Sequence, residues 1–244
     1  MKKLMLLAVG VALAHTVSAQ VVSSQTYHRE KSKTMWYARL GVSFDNIAGA
    51  NEYVNLSNDF ASEGEKYSLG SSTGMDIDFG FQRPISNFGL YWGMELGIGT
   101  RGYSSKYVDN QDDYVENAKM LTWNVKYSPF TFGYKYSLTD NIKLDAHLGL
   151  YFSYDFAGQK ISYSDSEGDK WELDSDYIKE YMDYQAFDAG MQLGIGVWFN
   201  RFNLDFTYQR GFVPMSKLYY SNLTGSVEKS LYSSNFMIRL GVAF

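Results

Sequence analysis

Period-two alternation is the feature that most constrains how this chain can fold. Eight segments alternate bulky apolar residues with glycine, hydroxyl, amide or charged residues. Successive side chains of a β-strand point to opposite faces, so this pattern indicates strands with one apolar face. We predict eight strands, at residues 36–45, 75–82, 90–99, 121–136, 142–153, 187–199, 202–209 and 236–244.

The two faces of these strands differ in size as well as in polarity. The chain has 22 Gly, 21 Tyr, 16 Phe and 5 Trp, and the glycines fall mainly on the polar face. Such a face is too small to cover the outside of a soluble core, whereas lipid outside and a tight polar interior fit it well. We therefore predict an all-β fold, an eight-stranded antiparallel transmembrane β-barrel arranged as an up-and-down meander. A soluble barrel with its apolar face inward is the alternative.

The connections between the predicted strands alternate in length. Outer-membrane barrels have short periplasmic turns and long extracellular loops, and an even strand number leaves both termini on the periplasmic side. A flip of the alternation at Pro129 predicts a β-bulge in the fourth strand. The predicted short turns are 84–88, 139–141 and 200–201, and the predicted long loops are 48–69, 102–119, 158–183 and 215–228.

The first residues of the chain have the layout of an export signal. Two lysines precede an apolar run at 4–14, which is too short to span a bilayer, and small residues follow at 17–19. We predict a cleaved signal peptide at 1–19, a periplasmic tail at 20–34 and an outer-membrane β-barrel at 35–244. The chain has no cysteine and a net charge of −5, which excludes a lipidated anchor and argues against nucleic acid as a partner.

Several segments of the chain resemble a known family, and the resemblance covers the whole predicted mature chain in topology. Residues 127–136 (YSPFTFGYKY), 138–144 (LTDNIKL) and 149–151 (GLY) are similar to the PorT-like outer-membrane β-barrel family, as are the glycine-rich segments 93–99 and 194–196. In that family a proline-bearing strand ending in Lys-Tyr turns into a strand with a glycine–aromatic step. The resemblance implies the fold and the outer-membrane location, and one member of the family supports type IX secretion. It implies no catalytic residues.

Charged residues of both signs fall on the predicted inward face. Eight strands leave an interior that side chains can fill, and buried charges need partners. The first and last strands must be neighbours for the barrel to close, so we expect Arg39 and Arg239 to pair with carboxylates such as Asp76, Asp78 or Glu95. A narrow ion pathway is the alternative. The predicted interior charge network consists of Arg39, Asp76, Asp78, Glu95, Lys126, Lys135, Lys143, Asp145, Asp188, Asp205 and Arg239.

Three further features of the sequence bear on function. His147 and Asp145, with Ser153, suggest a hydrolase, but they are predicted to lie mid-barrel, without substrate access. The acidic segment 165–176 offers oxygen ligands for calcium but lacks the spacing of a calcium-binding loop, so a solvated loop is favoured. We predict no catalytic, cofactor or metal site. The terminal Phe244 ends an amphipathic strand that barrel-assembly machinery can capture by strand addition, and we predict that it is an assembly signal.

These observations favour a non-enzymatic protein of the outer membrane. We expect it to interact with partners at the cell surface or to support an envelope or secretion complex. The alternatives are a narrow ion or small-solute channel and a lipid A-modifying enzyme. The expected partners are outer-membrane lipid, lipopolysaccharide, the barrel-assembly machinery and envelope or secretion-complex proteins.

Overall fold

A computed structural model of the chain describes residues 34–59, 61–85, 88–173, 184–222 and 225–244. The predicted signal peptide and all but the last residue of the predicted tail lie outside these residues. No helix in the described ranges is long and apolar enough to cross a membrane. The elements are β1 (Met35–Ala48), α1 (Ala50–Asp59), β2 (Glu65–Gly70), β3 (Ser72–Pro84), β4 (Leu90–Asp109), β5 (Tyr114–Ser137), β6 (Ile142–Asp165), β7 (Lys170–Leu173), β8 (Phe187–Phe199), β9 (Phe202–Asn222) and β10 (Gly225–Ala243).

Eight of these strands form a closed antiparallel ring. Its order is β1-β3-β4-β5-β6-β8-β9-β10, and β10 pairs with β1 from Tyr37 opposite Ala243 to Ala48 opposite Tyr232. Each ring strand therefore pairs with the ring strand that precedes or follows it in the chain. The short strands β2 and β7 pair with the far ends of β4 and β6. The predicted eight-stranded meander is confirmed.

The outside of the ring is apolar through most of its height. Leu96, Ile195 and Leu240 point outward and are 56%, 63% and 66% exposed. Aromatic rings concentrate near both borders of this apolar band: Trp36 packs against Phe79 and Phe81 near one border. The opposite border is marked by the pairs Phe44–Phe236 and Phe152–Phe187. This is the surface of a transmembrane barrel, and the soluble alternative is wrong.

The predicted bulge at Pro129 is present in β5. The β5–β6 pairing shifts register between Tyr127 and Phe130, and the β4–β5 pairing shifts between Gly93 and Glu95. Proline has no N–H to give to a ladder, so a bulge is where a ring strand tolerates it. The bulge also explains the change of parity in the sequence pattern.

The two ends of the ring differ. The short-turn end carries the turns 138–141 and 200–201, the end of β3 at Pro84 and the start of β4 at Leu90, together with Met35 and Ala243. The opposite end, which we call the long-hairpin end, was predicted to consist of long loops, and this is wrong for most of it. Strand β4 runs on to Asp109 and β5 starts at Tyr114, so residues 102–119 are mainly a hairpin with a turn at 110–113.

The other three predicted loops are also largely ordered elements. Residues 48–69 contain α1 and β2, residues 158–183 contain the end of β6 and all of β7, and residues 215–228 are mostly β9 and β10. Residues 174–183 and 223–224 lie outside the described part of the chain. These segments do not show the pattern of a membrane strand, because at the long-hairpin end the two faces of each strand exchange polarity. Polar residues point outward there, and apolar residues point inward. Polar and apolar residues still alternate, but the apolar residues are no longer on the face that contacts lipid in a membrane strand.

Candidate functional site

Two arginines occupy the interior of the ring, one on its first strand and one on its last. In the β1–β10 ladder Arg39 lies opposite Gly241, and Gly41 lies opposite Arg239. A Cβ atom on Gly41 would lie 2.6 Å from Arg239 Cγ, and one on Gly241 would lie 2.9 Å from Arg39 Cγ. Each glycine therefore leaves the space that the arginine of the neighbouring strand fills.

Three carboxylates surround the two guanidinium groups. Arg39 Nη1 lies 2.6 Å from Glu95 Oε1, and Arg239 Nη1 lies 2.6 Å from Asp78 Oδ2. Asp205 serves both arginines: its Oδ1 lies 2.6 Å from Arg239 Nη2, and its Oδ2 lies 3.7 Å from Arg39 Nη2. All five residues are at most 4% exposed. Since an unpaired buried charge is costly, each depends on the others.

Lys126 and Asp76 extend this cluster toward the long-hairpin end. Lys126 Nζ donates a hydrogen bond to Asp76 Oδ2 and lies 3.9 Å from Asp78 Oδ1. Arg239 Nη1 lies 3.8 Å from Asp76 Oδ1, so the pair is connected to the arginines. We call this group the central cluster; it consists of Arg39, Asp76, Asp78, Glu95, Lys126, Asp205 and Arg239.

A separate group lies toward the short-turn end. Asp145 accepts hydrogen bonds from the Tyr91 hydroxyl at 2.8 Å and from Trp198 Nε1 at 2.9 Å. The Nζ of Lys135 sits 4.3 Å from the centre of the Trp198 ring and 5.3 Å from that of Tyr91. Lys143 is only partly buried, near the start of β6, so the structure places it at the rim rather than in the central cluster.

His147 lies between these two groups. Its Nε2 is 3.3 Å from Thr207 Oγ1, and its ring nitrogens lie 3.8 Å from Asp145 and from Asp205. The ring is buried, at 3% exposure. Ser153 is six residues further along β6, or about 20 Å at the rise of a strand. The structure therefore does not bring His147 and Ser153 together.

A third ion-pair group lies above the central cluster, toward the long-hairpin end. Arg101 Nη2 lies 2.6 Å from Asp155 Oδ2, and Arg101 Nη1 lies 3.3 Å from Asp188 Oδ2. The Tyr184 hydroxyl also donates to Asp155. The predicted interior charge network includes Asp188 but not Arg101 and Asp155, because the predicted strands end at residues 99 and 153. Alternation could have predicted both residues. Arg101 occupies the same face of β4 as Glu95, six residues earlier, and Asp155 occupies the same face of β6 as Ser153.

Beyond this ion-pair group the interior becomes apolar. Side chains from six ring strands meet there in one buried cluster, which β2, β7 and residue 186 also contact. A single strand contributes to both clusters: on β5 the inward residue Lys126 belongs to the central cluster, and the inward residue Met120 belongs to the apolar cluster. We call this group the apolar cluster; it consists of Ile47, Tyr103, Ala118, Met120, Ile161, Tyr184, Met215 and Leu231.

Outside the apolar cluster, five strands present a polar face. Ladder partners place Ser68, Lys106, Asn117, Ser164 and Lys170 in one row across β2, β4, β5, β6 and β7. A parallel row, one outward position nearer the apolar band, holds Gly70, Ser104, Lys119, Ser162 and Glu172. All members of the two rows except Glu172 line a groove of about 570 Å³, which we call the lysine–serine groove.

The acidic segment after β6 is used for a turn. Asp165 Oδ1 accepts the backbone N–H groups of Glu167 and Asp169, at 3.1 Å and 2.8 Å. Glu172 forms an ion pair with Lys160 at 3.0 Å. Asp174 and Asp176 lie outside the described residues. Across the ranges that the structure does describe, no three His, Cys, Asp or Glu side chains are grouped as metal ligands.

The terminal residue closes the ring at the short-turn end. The N–H of Phe244 donates to the Trp36 carbonyl at 3.0 Å. The Phe244 ring packs against Phe79, with ring centres 5.8 Å apart. Phe244 thus spans β1 and reaches β3, while its role as an assembly signal stays a prediction.

Comparison with known proteins gives one family and several aligned structures. The family model described as outer membrane protein beta-barrel domain matches residues 19–217. A search of curated protein sequences gave no match.

Three proteins of known structure align with this chain. The attachment invasion locus protein Ail of Yersinia pestis is 12% or 13% identical in two crystal structures, with 87% of this chain and 99% of that chain covered and a TM-score of 0.35. Outer membrane protein OprG of Pseudomonas aeruginosa is 14% identical, with 87% and 97% covered and a TM-score of 0.39. Neisserial surface protein A is 10% identical, with 86% and 97% covered and a TM-score of 0.38. With identities of 10–14% and TM-scores below 0.5, these matches carry no conclusion about this chain.

Proposed function

Because the chain belongs to the outer membrane protein β-barrel domain family, we propose that it is a non-enzymatic outer-membrane barrel with a blocked interior. Its long-hairpin end projects from the cell and contacts partners at the cell surface, either directly or as part of an envelope or secretion complex. The blocked interior separates this proposal from a channel, and the projecting strands separate it from a barrel that is confined to the membrane.

The observation that carries the proposal is the filling of the ring by the central cluster. Every member is at most 7% exposed, and its ion pairs connect β1, β3, β4, β5, β9 and β10. A water-filled passage would leave such side chains hydrated. Above them the apolar cluster forms a second obstruction. Its polar groups are tyrosine hydroxyls, of which that of Tyr184 already donates to Asp155, so an ion would be poorly solvated there.

The projecting end supports a role in contacts. Strands β4, β5, β6, β9 and β10 have 19 to 24 residues, whereas about 9–11 tilted residues cross a bilayer. Roughly half of each of these strands is therefore available outside the apolar band. The PorT-like resemblance belongs to this proposal as well, and the bulge at Pro129 lies within the segment that carries it.

Two measurements test the proposal. Purified protein in planar bilayers is expected to give no stable single-channel current, and steady sizeable currents would favour the channel instead. Since the chain has no cysteine, Asp112→Cys and Asp140→Cys supply single labelling sites at opposite ends of the ring. An impermeant maleimide added to intact cells is expected to label residue 112 and spare residue 140; the reverse would mean that the long-hairpin end faces the periplasm.

A catalytic role is not part of the proposal. The hydrolase alternative needs a nucleophile beside His147, but its nearest hydroxyl partner is Thr207, inside the ring and between carboxylates. A bulky lipid substrate would have to displace the central cluster to reach it. Loss of His147 is accordingly expected to alter stability and to leave the chemical structure of the outer-membrane lipid unchanged.

A further inference from the structure

We propose that the lysine–serine groove binds the phosphorylated sugar headgroup of the glycolipid in the outer leaflet. This inference rests on the proposed orientation of the barrel, with the long-hairpin end outside the cell. It names a partner and a site for the projecting strands. The occupant is the class of lipid with phosphate groups on its headgroup sugars, in its membrane-bound form.

The position of the groove is the first argument. On β5 it lies on the same face as the lipid-facing band, because the outward residues Val125, Trp123, Leu121 and Lys119 follow one another at alternate positions. On β4 the outward pattern is interrupted at Thr100, which is buried and donates to Asp45, and it resumes at Ser104 and Lys106. On β5 the outward residue after Leu121 is Lys119, about 7 Å further along the strand. On β4 Ser104 follows Ile98 by six residues, about 20 Å along the strand. The groove therefore opens sideways, over the membrane surface where headgroups stand.

Charge is the second argument. The whole chain carries −5, yet Lys106, Lys119 and Lys170 gather on this one face. Lys106 and Lys170 are exposed, and none of the acidic side chains that the structure describes forms an ion pair with either. Glu172, the acidic member of the two rows, is already paired with Lys160. This local positive charge on an acidic protein is complementary to an anionic occupant.

The remaining polar groups suit a phosphorylated sugar. Ser68, Ser104, Ser162 and Ser164 line the groove together with Asn117. Ser68, Ser104 and Ser162 already donate to the carbonyl oxygens of Lys106 and Ser71 and to Glu172 Oε1, respectively, so their hydroxyl oxygens are available as acceptors. Ser164 and Asn117 can both donate and accept, which matches the hydroxyl groups of a sugar. Lysines bind phosphate as point charges and adapt to its position. Five strands at about 4.8 Å spacing make a face about 19 Å wide, which is wide enough for more than one sugar ring.

Two other occupants fit less well. A second copy of this chain, placed face to face, would bring the lysines of both copies together, and such like-charge contacts are unfavourable. A soluble acidic protein would have to approach along the membrane plane, where lipid headgroups already stand beside the groove. Both occupants remain outcomes of the test.

The decisive variant is Lys106→Gln/Lys170→Gln, with Lys31→Gln/Lys33→Gln as the matched control. Both variants remove two positive charges, and the control removes them from the segment that precedes β1. Binding is measured by the fluorescence anisotropy of labelled lipopolysaccharide lacking O-antigen, in detergent micelles with the full-length mature protein. Heat-modifiable gel mobility shows that each variant is folded.

The groove variant is expected to bind about 20- to 30-fold more weakly than wild type, at about fivefold for each lysine near an anionic headgroup. The control is expected to bind as wild type does. Restoring the charges as Lys106→Arg/Lys170→Arg is expected to recover most of the affinity. Equal weakening by groove variant and control, or no binding by wild type, would overturn the proposal.

Three competitors identify the occupant. Unlabelled phosphorylated glycolipid is expected to displace the probe, and the same glycolipid after enzymatic dephosphorylation is expected to do so poorly. Millimolar inorganic phosphate is expected to have little effect; displacement by it would mean a free-phosphate site. Dimerisation that depends on Lys106 and Lys170, seen by sedimentation without glycolipid, would favour a second copy. The outcomes of the maleimide labelling and the conductance measurement do not depend on glycolipid binding. A wrong orientation of the barrel is therefore distinguishable from a wrong ligand.

Discussion

The membrane half of the ring and its projecting half use the same strands with opposite polarity. On β5 the inward residue Lys126 pairs with Asp76 while Val125 faces outward, 39% exposed. Six residues earlier, Met120 points inward at 2% exposure while Lys119 is exposed outside. The reversal follows the solvent: lipid favours apolar side chains outside, and water favours them inside.

The difference teaches where the stability of each half comes from. In the membrane half, charged groups hold the interior together, and each charge depends on its partners. In the projecting half, the interior is held by burial of apolar surface, as in a soluble protein. The Arg101 group lies at the boundary between them. The halves should therefore respond differently to the loss of a side chain.

The largest effect is expected in the membrane half. Arg239→Ala leaves Asp205 and Asp78 without their closest cation and is expected to cost about 3–5 kcal/mol of unfolding free energy. Urea unfolding of protein refolded into lipid vesicles measures it. Arg210→Ala is the control, because Arg210 stacks over the Tyr232 ring at 5.5 Å, a contact that contributes about 0.5–1 kcal/mol. Equal losses would mean that the central cluster is not energetically special.

A somewhat smaller effect is expected in the apolar cluster. Met120→Ala removes a fully buried side chain and should cost about 2–5 kcal/mol. Lys119→Ala, next to it but exposed, should change stability by no more than about 0.5 kcal/mol. Urea unfolding gives both values. If Met120→Ala proved as mild as Lys119→Ala, the projecting half would lack a packed core.

Close packing around Arg239 gives a third expectation. Gly41→Ala places a Cβ about 2.5 Å from the Ile238 carbonyl oxygen, so one strand must shift, at a cost of about 1–3 kcal/mol. Gly70→Ala in the projecting half meets Ser104 Oγ at 3.0 Å, a side chain that can turn away. The same unfolding assay compares the two variants, and a cost at Gly70 equal to that at Gly41 would contradict the account.

The same comparison explains what could be predicted from the sequence. The ring was predictable because a charged residue next to an apolar one, such as Glu95 next to Leu96, shows which face of the strand contacts lipid. The hairpin at 110–113 was not, because outward Lys106 and inward Tyr103 resemble the pattern of a loop or a soluble strand. The pairing of Arg39 with Glu95 and of Arg239 with Asp78 matched the expectation. The double role of Asp205 depends on the β9–β10 register, which places it opposite Arg239, and alternation alone does not give that register.

The central claim is that the outside of one strand passes from lipid to water at the level where its inside passes from charged to apolar. A scan along the outward face of β4 tests it directly, with single cysteines replacing Met94, Leu96, Ile98, Ser104 and Lys106 and carrying spin labels in lipid vesicles. The account predicts that oxygen reaches the first three labels better than a water-soluble nickel reagent does, and that the order reverses at 104 and 106. Labels at 104 and 106 that remain in lipid, or labels at 96 and 98 that are reached by the nickel reagent, would contradict it.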